Sequence, residues 1–154
     1  MTYIERPTTG RSDGCDIFVD LPAENQDEKN LILYRGETGF VILNAYPYTS
    51  GHLLVAPYRQ VADIVEMTDA ELLDVNKMIA MSVKWIRASY SPDGFNIGVN
   101  MGRAAGAGIP QHIHWHVVPR WSGDSNFMTT VGQVRVIPQT LEDTYRKLFQ
   151  ARSL

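Results

Sequence analysis

Apolar and polar positions alternate with two different periods along this chain, and each change of period marks an element. Leu31 to Tyr34 and Phe40 to Asn44 are short β-favouring runs on either side of Arg35-Gly36-Glu37-Thr38-Gly39, whose two glycines permit a turn. A hairpin is expected there. After a connection from Asn44 to Gly51 carrying Pro47, His52 to Ala56 reads as a third strand stopped by Pro57. Thr68 and Glu71 have the spacing of a capping box. Behind them Leu72, Val75, Ile79, Val83, Ile86 and Tyr90 recur at steps of three and four, which predicts a helix of about six turns with one stripe against a sheet, ended by Pro92 and Gly94. Phe95, Ile97 and Val99 then alternate with Asn96, Gly98 and Asn100, as in a strand with one packed face and one face open to a ligand. Gly102 to Pro110 is a loop of small residues, His112 to Val118 a further strand, and Thr140 to Phe149 a terminal helix after Pro138.

These pieces predict an α+β fold: a mostly antiparallel five-stranded sheet, one long helix packed on it and a short C-terminal helix. The intervals between strands are too short for a series of βαβ units. Residues 1–29, interrupted by Pro7, Gly10, Gly14 and Pro22, read as an N-terminal arm with edge elements, and residues 30–154 as the body of a single domain. A chain of 154 residues, 44% apolar and 20% charged, has enough core for one domain, which excludes global disorder. Cys15 is the only cysteine, so no internal disulfide can form. No apolar stretch resembles a secretion signal or a membrane span, and a cytoplasmic protein without a membrane partner is expected. Seventeen acidic against fourteen basic residues give a charge of −3, which argues against a nucleic-acid partner but not against a small anionic ligand held by local donors.

The candidate chemistry lies in His112, His114 and His116, separated by Ile113 and Trp115 and followed by Val117-Val118. On a strand, period two places the three imidazoles on one face while Ile113, Trp115 and Val117 fill the other. A shared metal is one reading, with His52 as a further ligand. However, the outer two α-carbons of a regular strand would stand roughly 13 Å apart, which strains a single-metal site. Nucleophilic attack on phosphorus fits better, because a neutral imidazole carries a lone pair near pH 7 once its other nitrogen is fixed. His114 is the candidate nucleophile, since it alone has a neighbour on both sides that can hold its tautomer and share proton handling.

The His112-Ile-His114-Trp-His116-Val-Val run resembles the motif of the histidine triad (HIT) family. The resemblance extends through Asn44, Ser50-Gly51-His52, Asn100, the small-residue loop and Pro119-Arg120-Trp121. Val117 to Met128 is most similar to the bacterial branch that contains diadenosine tetraphosphate phosphorylases. The resemblance implies a HIT-like fold and nucleotidyl transfer on a dinucleoside polyphosphate through a covalent nucleotidyl-histidine at His114. His116 would assist the leaving group, and His112 and His52 would orient the row. It further implies a ribose contact at Asn44, a phosphate contact at Asn100, backbone donors from Gly106, Ala107 and Gly108, and a base pocket near Ile17, Phe18 and Leu43. Relatives are usually homodimers. Inorganic phosphate as acceptor would make the protein a phosphorylase and water a hydrolase, while a non-catalytic nucleotide-binding module would keep the cleft without the intermediate.

The chain also departs from the family pattern. The loop Gly106-Ala107-Gly108-Ile109-Pro110 lacks the serine or threonine that many relatives use on phosphate, and Gln111 or Arg103 could supply a replacement donor. Some relatives hold a structural zinc with an early cysteine pair and histidine. Here Phe18 stands at the spacing of the second cysteine and Gln60 where a histidine would be, so neither metal nor cofactor is expected.

Overall fold

The computed structural model describes residues 16–124 and 139–153; Cys15, Pro138 and the Ser125 to Met128 part of the branch motif lie outside them. The first element is α1 (Ile17–Ala23), in which Phe18 N–H donates to the side chain of the N-cap Asp16 at 3.0 Å. The arm expected over residues 1–29 therefore contains a helix. Seven residues with Pro22 among them are too few for a 3.6-residue period to show.

Five strands follow, β1 (Ile32–Arg35), β2 (Gly39–Leu43), β3 (Leu53–Pro57), β4 (Gly94–Val99) and β5 (Trp115–Arg120), in one sheet of order β1-β2-β3-β5-β4. Every neighbouring pair is antiparallel. Register separates the two faces. Leu43, Leu53, Val117 and Ile97 lie opposite one another on one face; Ile42, Leu54, His116 and Gly98 do so on the other.

The first face is covered by α2 (Asp69–Tyr90) and α3 (Leu141–Ala151), giving a core that includes Leu33, Val41, Val55, Val75, Met78, Trp85, Ile86 and Leu148. The second face packs Phe18 of α1 on Ile32, Phe40, Ile42, Leu54 and Ala56. The long helix turns a slightly different line to the sheet than the spacing predicts. Val75, Met78, Ser82, Trp85 and Ile86 are buried, whereas Leu72, Ile79, Val83 and Tyr90 form a partly buried shoulder. The hydroxyl of Ser82 is accommodated inside because it donates to Met78 O at 2.8 Å. Tyr90, at the end of this shoulder, meets α3, where Lys147 lies 4.1 Å from its ring centroid. Among the described residues no helix is long and apolar enough to cross a membrane.

The capping box forms as the sequence predicts. Glu71 N–H donates to Thr68 Oγ1 at 3.3 Å and Thr68 N–H to Glu71 Oε2 at 2.8 Å. Glu71 is buried at 6% exposure and also accepts from Arg59 at 2.8 Å. The Arg59 guanidinium, aided by the two Thr68 donors, pulls the Glu71 carboxyl down to about 2 against the opposing effect of burial. Because the folded-state value is depressed, this stabilisation is complete above the ordinary carboxylate range and is lost as the pH falls from about 4.5 towards 2. Glu71→Ala, which removes the side-chain half of the capping box and leaves Arg59 without its anion, should cost about 2–3 kcal/mol in urea unfolding at pH 7, and much less at pH 3.

Candidate active site

The histidines are delivered by the end of a strand rather than by its middle. β5 begins at Trp115, whose partner on β3 is Val55, so His112, in a bend, and His114 lie just before the ladder and not within the strand expected over 112–118. The ladder stops there because Ile113 N–H bonds to Val61 O at 2.7 Å instead of to a strand. Alternation nevertheless persists across the boundary. Ile113 and Val117 enter the helix-side core and Trp115 packs against it.

Hydrogen bonding sets the tautomers of His114, His52 and His116. His114 Nδ1 lies 2.8 Å from its neighbour's backbone carbonyl, His112 O, which can only accept; the proton is therefore on Nδ1 and the lone pair on Nε2. Nε2 has no partner among the described residues. The fully buried side-chain polar atoms left without one are Ser50 Oγ and Arg152 Nε, so Nε2 keeps solvent contact although the residue is only 6% exposed.

A second chain runs through His52 and His116. Tyr48 N–H donates to His52 Nδ1 at 3.0 Å, which leaves the proton of this fully buried ring on Nε2. His52 Nε2–H in turn donates to His116 Nδ1 at 3.0 Å. His116 Nδ1 is thus an acceptor, and its Nε2 carries the hydrogen. The His116 ring centroid is 5.2 Å from that of His114, so a lone pair and an N–H donor stand side by side.

Burial lowers the basicity of both rings. His116 is pushed down to about 4, with His114 as a smaller contributor, and His114 is lowered despite its bond to the His112 carbonyl. The neutral forms therefore persist as the pH falls below the ordinary histidine value. If His114 attacks as the free base, kcat/KM for the nucleotide should stay level from pH 8 to below 6.5, with its acid limb below the ordinary histidine value. A pH–rate profile whose acid limb lies at 6.5 or above would contradict the neutral pair.

The remaining expected residues divide into groups. Asn44 accepts from Tyr46 N–H at 2.9 Å through Oδ1 and points Nδ2 at His52 Nδ1 at 3.3 Å, so here its amide braces the turn and the relay. Asn100 follows β4, whose Gly98 is opposite His116; continuing that register brings Asn100 level with His114. A Cβ at Gly98 would meet nothing within 4 Å, so the sheet face beside His116 is open. In the loop, Gly106 (φ +88°) donates its N–H to Arg103 O and Ala107 donates to Gly102 O. Both N–H groups expected to serve phosphate are thus engaged inside the loop in this structure. Gly108 N–H has no backbone acceptor among the described residues, and Gln111 is exposed just ahead of His112.

Two base-pocket residues are also placed differently from expectation. Leu43 is 2% exposed in the helix-side core, on the face of the sheet away from the imidazoles, and Ile42 holds the histidine side instead. Phe18 is on the correct side but only 1% exposed, 4.7 Å from the His114 ring and 5.2 Å from the His112 ring by centroids. It walls the histidines rather than offering a free stacking surface. Ile17 and Ile109 are among the partly buried apolar residues packed against the same cluster.

Asp16 and Tyr48 escaped the sequence reading. Tyr48 sits in a Pro-containing connection and acts through its backbone N–H, while its ring stacks on His116 at 5.9 Å and 8°. Asp16 is a buried carboxylate bonded to His112 at 2.8 Å. Its position just before Ile17-Phe18, that of an N-cap, was the one available signal. Among the described residues no group of three or more His, Cys, Asp or Glu side chains is arranged to hold a metal ion. A cleft of about 530 Å³ between β1 and α3, lined by Tyr34, Arg35, Tyr145, Phe149 and Arg152 among others, contributes no residue to the histidine group.

Residues 25–123 match the HIT domain, and the chain belongs to the HIT family. It is 39% identical over 145 residues to a Mycobacterium tuberculosis protein named AP-4-A phosphorylase, covering 94% of this chain and 74% of that one. It is 32% identical over 93 residues to a Schizosaccharomyces pombe protein named bis(5'-nucleosyl)-tetraphosphatase (asymmetrical), covering 60% of this chain and 50% of that one. Among solved structures, a zinc-bound histidine triad protein of Mycobacterium smegmatis aligns with a TM-score of 0.67 and 31% identity, over 80% of this chain and 84% of that one.

Proposed function

We propose that this protein is a nucleotidyl-transferring enzyme that cleaves dinucleoside polyphosphates through a nucleotidyl-His114 intermediate, with inorganic phosphate as acceptor. The observation that carries the reading is the fixed tautomer of His114, which leaves Nε2 as the one lone pair directed out of the row. In the first step Nε2 bonds to the α-phosphorus of diadenosine tetraphosphate and the α-phosphorus to bridging-oxygen bond breaks, its electron pair departing with ATP. His116 Nε2–H donates a hydrogen bond to the oxygen that gains charge. The adduct ring is cationic, and the His112 carbonyl on Nδ1–H stabilises it. In the second step a phosphate oxygen attacks the same phosphorus, the P–N bond breaks, ADP leaves and His114 returns neutral.

Phosphate is preferred to water as acceptor because the relative at 39% identity is named a phosphorylase. Hydrolysis is the second reading, favoured by the relative named a tetraphosphatase and by the loop that lacks a hydroxyl. Incubating the purified protein with diadenosine tetraphosphate separates the cases. ATP with ADP, formed only when phosphate is present, supports phosphorolysis; ATP with AMP independent of phosphate supports hydrolysis; absence of turnover supports a binding module.

The homodimer belongs to the same proposal. Among the described residues β4 is an edge strand, with Ile97 47% exposed in its middle and Met101 41% exposed just beyond it, a margin suited to a second copy. Light scattering should give twice the chain mass, and a monomer at assay concentration would overturn it.

A further inference from the structure

We infer that Asp16 is a positioning residue for the nucleophile, acting through His112; this rests on the reading of His114 as the attacking group. His114 is held by a single bond from Nδ1–H to the carbonyl of His112. Where that carbonyl sits depends on His112, a 1% exposed ring clamped at both nitrogens: Nε2 donates to Pro57 O at 2.9 Å and Nδ1 meets Asp16 Oδ2 at 2.8 Å. Pro57 O fixes one edge of the ring to β3, and Asp16 fixes the other to α1.

The carboxylate is itself triply held. Its Oδ1 accepts from Phe18 N–H at 3.0 Å, and its Oδ2 accepts from Gln60 Nε2 at 2.7 Å as well as meeting His112. The same helix turn carries the Phe18 ring against His112 and His114. One side chain, separated by 96 residues from the ring that it holds, therefore ties the start of α1, the Gln60 segment and the histidine row into a single hydrogen-bonded unit. Oriented partners one step removed from the reacting ring set its geometry within the fraction of an ångström that attack requires, and losing one costs about 10–100-fold.

Two substitutions separate positioning from helix capping. Asp16→Ser keeps an N-cap oxygen for Phe18 N–H but is too short to reach His112, whereas Asp16→Asn keeps the cap and can still bond to the ring through its amide. Asp16→Ser should lower kcat about 10–100-fold with KM within about twofold, and Asp16→Asn should recover most of the loss. The second readout needs no turnover. Nitrogen-15 NMR of the imidazoles should show His114 fully Nδ1-protonated in the wild type and in Asp16→Asn, and a mixture of tautomers in Asp16→Ser. Unchanged kcat and tautomer in Asp16→Ser would overturn the inference, as would equal losses in the two variants. A wild-type protein inactive on diadenosine tetraphosphate would count against the proposed activity alone, since the NMR comparison still decides the role of Asp16.

Discussion

His114→Ala should lower kcat by at least about ten-thousand-fold and abolish formation of the covalent intermediate, while the protein stays folded. The magnitude follows from removing the bond-forming atom itself: substrate binding and the His116 donor survive, but neither supplies a lone pair to phosphorus. From sequence alone the substitution would be close to neutral for stability, because nothing marks the ring as packed. The structure alters that expectation. The ring is 6% exposed and lies against Phe18, so its loss leaves a small void and should cost about 1–2 kcal/mol, seen as a lower urea midpoint with a retained cooperative transition. Steady-state assays of diadenosine tetraphosphate cleavage measure the first effect. Activity within about tenfold of wild type would place the nucleophile elsewhere.

His116→Ala should reduce kcat about a hundred- to a thousand-fold with a smaller change in KM, since its Nε2–H is of most use once charge has built up on the departing oxygen. The substitution also removes the His116 acceptor of the Nε2–H of the fully buried His52, at a cost of about 1–3 kcal/mol. His116→Gln discriminates between these consequences. A glutamine oxygen can accept from His52 while its amide faces the substrate, so this variant should regain stability and part of the rate. Equal rates for the alanine and glutamine variants would contradict the relay from Tyr48 N–H through His52 to His116.

The legible parts of the fold were those with a local cause. The Thr68–Glu71 box, the hairpin between β1 and β2 and the alternation around the histidines each depend on residues within a few positions of one another, and all appear in the structure. What failed depended on contacts that spacing does not encode. The ladder ends at Trp115 because Ile113 bonds to Val61, and no pattern within residues 112–118 signals that. All five residues of β2 are buried, so neither face of that strand is marked by polarity and Leu43 could not be distinguished from Ile42. In α2 the buried line includes Ser82 and Met78, which a count of aliphatic residues alone passes over.

The site shows the same division. The three imidazoles stand out in sequence, as does the turn before His52, because rare residue types fall at short regular intervals. Their partners do not: Asp16 reaches His112 across 96 positions, and Tyr48 contributes a backbone N–H that any residue other than proline could offer. The loop is hard to read for a related reason. Glycine permits close backbone approach to an anion, but permission does not say where an N–H points, and Gly106 turns its own back to Arg103.

The most direct test of the nucleotidyl-His114 intermediate is peptide mapping by mass spectrometry after the wild-type protein is mixed with diadenosine tetraphosphate without phosphate and quenched in alkali, where a P–N bond survives. The account predicts one AMP moiety on the peptide containing residues 112–116, localised to His114 and discharged as ADP when phosphate is added before the quench. An AMP moiety on a different side chain, or rapid turnover with no adduct at any time after mixing, would contradict it.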